Sequence, residues 1–159
     1  MISRGQKIPS VTIQQGTPEG PADVDPSKLF AGKKVIMFSL PGAFTPTCSA
    51  KHLPGYVAKL GELKAQGVDM VACLSVNDAW TMHAWAKEHD AVGKIVMLAD
   101  GAGAFSKALG IETDIPHMGL RSRRGVIVVE DGSVTSIEME APRKFEVSSA
   151  EACLASFKK

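Results

Sequence analysis

Chemistry in this chain centres on one thiol. In LPGAFTPTCSAKHLPGY (Leu40 to Tyr56), Cys48 follows Pro41, Thr45, Pro46 and Thr47 and precedes a basic, partly apolar segment. A thiol there has four uses: apolar packing, half of a disulfide, a metal ligand or a nucleophile. The chain has three cysteines, Cys48, Cys73 and Cys153, an odd and widely spaced set. Its first stretch, MISRGQKIPSVTIQQG, lacks the apolar run of a secretory leader, so a structural disulfide framework is not expected. There is no CxxC or HExxH, and His52, His83, His89 and His117 fall at no metal-ligand spacing; no metal is expected. No phosphate-binding loop occurs either. The glycine-rich DGAGAFSKALG lacks both its lysine and the Rossmann spacing, so no cofactor is expected.

The neighbouring elements favour the nucleophile. KKVIMFSL is a short apolar run rich in strand formers, the pattern of a buried strand. From Thr47 to Gln66 the pattern becomes helical, with Leu53, Val57 and Leu60 at three- and four-residue steps, a kink expected at Pro54 and a stop at Gly67. Cys48 then sits in the first turn of a helix that follows a strand. Unpaired N–H groups and the positive end of the helix dipole favour a thiolate there, the reactive form of the residue. Pro46 stiffens the approach, and the Thr45 hydroxyl reaches the same helix end. Strand-to-helix turns in α/β sheets open where ligands bind, and PTCSAKH is too polar for a core. Cys73, within VDMVACLSV, and Cys153, within SSAEACLASF, read as packing residues.

The rest of the chain supplies the scaffold. GTPEGPADVDPSKLFAGKK reads as loop. VDMVACLSV and KIVMLAD read as buried strands. NDAWTMHAWAKEHD reads as a helix capped by Asn77 or Asp78, its tryptophans in the core or, for Trp80, beside a subunit contact. AGAFSKALG is a short helix closed by Gly110. GVIVVEDGSVTSIEM is a hairpin turning at Asp131-Gly132, and Ser148 with Glu151 forms a capping box for the last helix. The order β-α-β-α-β-α-β-β-α implies an α/β fold: a central mixed sheet flanked by helices on both faces. The length suits a single domain over residues 1–159. A formal charge of +1 gives no nucleic-acid signature, and no apolar run approaches a membrane span. The expected location is the cytoplasm, or an organelle if a transit segment has been removed.

Pro41, Thr45 and Cys48 form P-x-x-x-T-x-x-C, which resembles the peroxiredoxin active-site motif. PGAFTPTCSAKHLPGY resembles the type II peroxiredoxins in particular, and ACLSVNDAW, LADGAGAFSKALG and GLRSRRGVIVVEDG resemble later blocks of that group in the same order. The resemblance implies a thioredoxin-like fold and a peroxide reductase acting on hydrogen peroxide and alkyl hydroperoxides. Carried over by position, it makes Cys48 the peroxidatic cysteine, Thr45 the hydroxyl that orients peroxide, Pro41 a shield against water and Arg124 the catalytic cation. Arg121 is then a second, supporting cation. The group usually has an aromatic residue after that arginine; here it is Gly125.

The implied reaction is attack of the Cys48 sulfur on a peroxide oxygen, giving a sulfenic acid, with the Cys48 backbone N–H, Thr45 and Arg124 as donors along the charge path. KFEVSSAEACLASF resembles the plant-type tail, which lacks the resolving cysteine of the animal form. A one-cysteine cycle is therefore expected, with glutathione, glutaredoxin or thioredoxin as reductant, in a homodimer. His52, one turn beyond Cys48, is expected at the surface, with tuning of the thiol or contact with the reductant as its alternatives. Two other functions stay open on the residues alone: a redox-silent thioredoxin-fold binding module or chaperone, and a thiol–disulfide oxidoreductase, which the missing CxxC disfavours.

Overall fold

The computed structural model describes residues 1–157. Its centre is the strand read from KKVIMFSL, β3 (Lys34–Ser39), whose side chains alternate between two cores. Ile36 and Phe38 face one side, and Val35 and Met37 the other, as the two-residue period of a strand requires. β3 pairs in parallel with β4 (Met70–Ser75) and antiparallel with β8 (Gly125–Glu130). β4 pairs in parallel with β5 (Val96–Ala99), and β8 turns through Asp131-Gly132 into β9 (Ser133–Met139). Both turn residues have positive φ, the geometry that Asp-Gly favours in a two-residue hairpin.

Two hairpins add to the expected order. β1 (Ile13–Thr17) and β2 (Gly20–Val24) extend the sheet beyond β5, so the seven-stranded order is β2-β1-β5-β4-β3-β8-β9. β6 (Glu112–Ile115) and β7 (Gly119–Ser122) form a separate two-stranded ribbon. A short helix, α1 (Pro26–Leu29), follows β2.

Helices cover both faces. α2 (Leu53–Ala65), α3 (Ala79–Glu88) and α5 (Ala150–Phe157) send Leu53, Tyr56, Leu63, Met82, Trp85, Cys153 and Leu154 into the core under Ile36 and Phe38. α4 (Ala104–Leu109) sends Phe105 and Leu109 into the core under Val35 and Met37. Asp78 caps α3 by accepting from Thr81 N–H at 2.7 Å. The capping box expected at α5 is replaced by another arrangement. Ser149 is the cap, accepting from Ala152 N–H at 3.0 Å, while the Ser148 hydroxyl donates to Glu140. Among the described residues no helix is long and apolar enough to cross a membrane.

The kink expected at Pro54 takes a specific form. Cys48–His52 is a π-helical turn, with Leu53 N–H reaching back to Cys48 C=O. Proline lacks an N–H and its ring conflicts with the carbonyl four residues earlier. One wide turn ahead of Pro54 absorbs that conflict, and such π-bulges are frequent at functional sites.

Candidate active site

The site is assembled from three places in the chain. The loop after β3 carries Pro41 to Thr47 into the π-helical turn. Its path is fixed by Leu40 N–H on Leu74 C=O (3.2 Å), by Ala43 N–H on Asn77 Oδ1 (3.0 Å), and by Ser49 N–H on Thr45 C=O (2.9 Å). The segment between β7 and β8 brings Arg124. Its backbone is held on both sides: Ser39 Oγ donates to Arg123 C=O at 2.7 Å, and Glu140 N–H donates to Arg124 C=O at 2.9 Å. The segment between β9 and α5 supplies Phe145 and Ser148.

Arg124 is the hinge of the arrangement. Nη2 donates to Cys48 Sγ at 3.0 Å and Nη1 donates to His52 Nδ1 at 2.8 Å. Cys48 and His52 are both fully buried. The tautomer of His52 follows from its partners. Its Nε2 lies 3.0 Å from Ser148 C=O, which only accepts, so Nε2 carries the hydrogen and Nδ1 offers its lone pair to Arg124. Tyr56 OH donates to the same carbonyl at 2.8 Å. Burial, with the Arg124 charge beside it, lowers the His52 pKa to about 3, against a smaller upward pull from the Ser148 bond. The ring is therefore neutral at physiological pH. Phe38, Tyr56 and Phe145 surround it with ring centroids 4.9, 5.7 and 5.0 Å away.

The other expected residues fall into two groups. Thr45 is half-buried and donates its hydroxyl to Gly42 C=O at 2.7 Å, which leaves oxygen lone pairs for an incoming proton. Pro41 is half-buried in the same loop. Arg121, expected as a second cation at the thiol, instead braces the loop through backbone carbonyls: Nη1 donates to Pro41 C=O (3.3 Å) and Val76 C=O (3.1 Å), and Nε to Met118 C=O (3.2 Å). Its fork is occupied by the loop around the thiol, so it positions Pro41 and not sulfur.

Cys73 and Cys153 are buried and reduced. Burial raises the Cys73 thiol well above its usual pKa, joined by the neighbouring Cys48 and opposed by Arg124. Burial also raises Cys153 to about 11, against the Tyr56 hydroxyl and Lys34. Both are protonated, poor nucleophiles at neutral pH.

Gly125 has a packing reason. It is buried and pairs with Ser39 and Met139. A Cβ there would run into the Met139 thioether and stand 2.9 Å from Glu138 C=O. Met139 fills the place where a side chain would begin. Gly125→Ala is expected to destabilise the fold by about 1–3 kcal/mol through overpacking against that backbone oxygen, measured by urea unfolding.

The sequence alone puts His52 at the surface, with tuning of the thiol only as an alternative, reads Ser148 only as a helix cap, and does not single out Tyr56, Phe145 or Glu140. The available signal was spacing: Cys48, His52 and Tyr56 recur every four residues and so share one helical face.

Fold and site define a class: a thioredoxin-like protein built around a cysteine–arginine pair, without a CxxC pair. The chain belongs to the Redoxin family, whose profile matches residues 3–154, and within it to the type II peroxiredoxins, which are thiol-dependent peroxidases. It is 46% identical over 156 residues to the chloroplastic peroxiredoxin-2E of Arabidopsis thaliana, covering 94% of this chain and 67% of that one. Among solved structures, reduced Prx3 of Vibrio vulnificus in complex with hydrogen peroxide is 50% identical, covers 99% of both chains and superposes with a TM-score of 0.95. Peroxiredoxin 5 of Alvinella pompejana is 35% identical over 99% of both chains, with a TM-score of 0.87.

Proposed function

We propose that Cys48 is the peroxidatic cysteine of a one-cysteine peroxidase, with Arg124, Thr45 and Pro41 completing its site. One observation carries the reading: the half-buried Arg124 guanidinium donates at 3.0 Å to the Sγ of a fully buried Cys48. There a cation stabilises a thiolate far more than it would in water. The sulfur attacks one peroxide oxygen. An S–O bond forms, the O–O bond breaks, and the other oxygen leaves with the electron pair, taking a proton to become water or alcohol. Cys48 is left as a sulfenic acid. The Thr45 oxygen accepts the peroxide O–H and so aims the other end at sulfur. Pro41, pinned by Arg121, keeps bulk water off the thiolate. Hydrogen peroxide and alkyl hydroperoxides are the substrates.

An external thiol, from glutathione, glutaredoxin or thioredoxin, then attacks the sulfenic sulfur and expels water, and a second thiol releases Cys48. The protonated, helix- or strand-bound state of Cys153 and Cys73 supports this one-cysteine cycle. The functional unit is the single domain 1–159, paired as a homodimer. In support, Phe44 and Trp80 are large exposed apolar residues on two segments joined by the Ala43–Asn77 bond. A cytoplasmic location is proposed, with an organelle as the alternative that chloroplastic relatives support.

The test is intact mass and thiol trapping after one equivalent of hydrogen peroxide. Wild type and Cys153→Ser should both gain one trappable oxygen on Cys48, and Cys48→Ser should consume no peroxide. A Cys48–Cys153 disulfide in wild type would make Cys153 the resolving thiol. An unreactive Cys48 would leave a redox-silent binding module.

A further inference from the structure

The reaction described above does not use Glu140, yet this residue is among the few buried charged side chains of the fold. It follows β9 directly, and its backbone N–H already holds Arg124 C=O. Its carboxylate folds over the segment that leads into α5. Oε2 accepts from Glu146 N–H (2.8 Å), Val147 N–H (3.0 Å), Ser148 N–H (2.9 Å) and the Ser148 hydroxyl (2.6 Å), and Oε1 accepts from Glu146 N–H at 3.0 Å. Among the described residues no cation forms an ion pair with it. A buried carboxylate without a counter-ion depends on N–H and O–H donors to offset its lost hydration. Here its charge is spent on one short piece of backbone.

That piece makes the far wall of the site. With its N–H and hydroxyl on Glu140, Ser148 turns its carbonyl to His52 Nε2 and Tyr56 OH. Phe145, in the same segment, meets the His52 ring edge-on, and the Arg124 guanidinium lies 5.9 Å from its centroid. The Ser148 carbonyl sets the His52 tautomer, the tautomer makes Nδ1 an acceptor, and that acceptor fixes one arm of the Arg124 fork so that the other faces sulfur.

We propose that Glu140 is a positioning residue for peroxide reduction, acting on Cys48 through Ser148, His52 and Arg124. The proposal rests on the reading of Cys48 and Arg124 given above. Glutamine at position 140 has one acceptor oxygen and turns an amide N–H₂ toward donors, which loosens the segment without emptying the space.

The test is a double-mutant cycle of Glu140→Gln and His52→Phe, with two readouts: the second-order rate with hydrogen peroxide and the iodoacetamide alkylation rate of Cys48. In the wild-type background Glu140→Gln should slow both by about tenfold, the size expected for an orienting partner behind a reactive group. In the His52→Phe background it should slow neither further, because the link is already cut. Equal losses in both backgrounds, or an unchanged rate in the wild-type background, would overturn the proposal. A pure loop staple lowers the melting temperature and leaves both rates alone. If Glu140→Gln fails to fold, Ser148→Ala takes its place in the same cycle, removing the hydroxyl bond while keeping the carbonyl. Peroxide turnover by Cys48→Ser would sink the underlying reading instead, which separates the two failures.

Discussion

Arg124→Met should slow the reaction of Cys48 with hydrogen peroxide by roughly 10²–10³-fold, the loss typical of removing one fixed donor from a developing charge. Methionine keeps much of the volume of the stem and none of the hydrogen-bonding capacity. Among the described residues the sulfur loses its one side-chain donor, at 3.0 Å, and the Cys48 side chain itself is fully buried. The same change leaves His52 Nδ1 without its donor, an unsatisfied buried acceptor worth about 1–3 kcal/mol of stability. Arg124→Lys should recover little. A lysine ammonium is a single point of charge, whereas the guanidinium spans Sγ and Nδ1 with two nitrogens of one rigid plane. Stopped-flow measurement of a single turnover is the check. A rate within threefold of wild type for Arg124→Met would mean that charge on the leaving oxygen is stabilised by other groups.

Acidification is expected to weaken the fold well above the range in which carboxylates protonate. His52 has a folded-state pKa of about 3 against an ordinary value of 6.5, so between those values the unfolded chain binds more protons than the native one. Stability then rises with pH across that window. It is complete above about pH 6.5 and falls as the pH drops, by roughly 2 kcal/mol at pH 5 from this group alone. For a chain of this size that corresponds to a melting temperature lower by about 4–8 °C. Glu140 adds to the effect further down. Burial pushes its pKa up, but the bonds from Ser148, Glu146 and Val147 outweigh this and hold it below 4.5. Its contribution is present above its unfolded value and is lost as the pH falls through the folded one. Urea unfolding at intervals from pH 7.5 to 4 should show the decline beginning near 6.5, and His52→Phe should flatten the upper part. Equal stability at pH 7 and pH 5 in the wild type would show that His52 is not held neutral.

The parts of the fold that could be read in advance are those whose signal is local. β3, β4, β5 and the Asp131-Gly132 hairpin each carry an apolar run bounded by turn residues, and α3 begins with its own cap at Asp78. The missed hairpins lack such a signal. Gly16 reads as a loop residue, yet it lies within β1, and it is glycine because a Cβ there would come within 2.6 Å of Ala79 C=O at the start of α3, a contact 63 positions away. β6 and β7 are short and half-exposed, and ETDI and GLRS carry one apolar side chain each, too few to show a strand pattern.

The site divides in the same way. Cys48, Thr45 and Pro41 lie within eight residues and announce themselves together. Arg124 was found through its block, not through any property of arginine. His52 sits between exposed Lys51 and a proline segment, and what buries it comes from Phe38 on β3 and Phe145 on the last loop. No inspection of the neighbourhood of His52 supplies those two rings. Glu140 looks like a polar strand end, and only folding brings residues 146–148 back onto it.

The indole of Trp85 is fully buried, and its Nε1–H donates to the hydroxyl of Ser49 at 3.0 Å. Ser49 is the residue after Cys48, inside the wide turn. Trp80, the only other tryptophan, stands near the start of the same helix, 67% exposed in the protomer on the surface assigned above to the dimer contact. Trp85 thus reads the turn, while Trp80 reads the surface of the proposed dimer contact. Any step that unwinds the turn around an oxidised Cys48 breaks the indole bond and changes the emission of Trp85. Trp85 emission is therefore expected to follow such a step, and recording it through a single peroxide turnover, without a label, is the check.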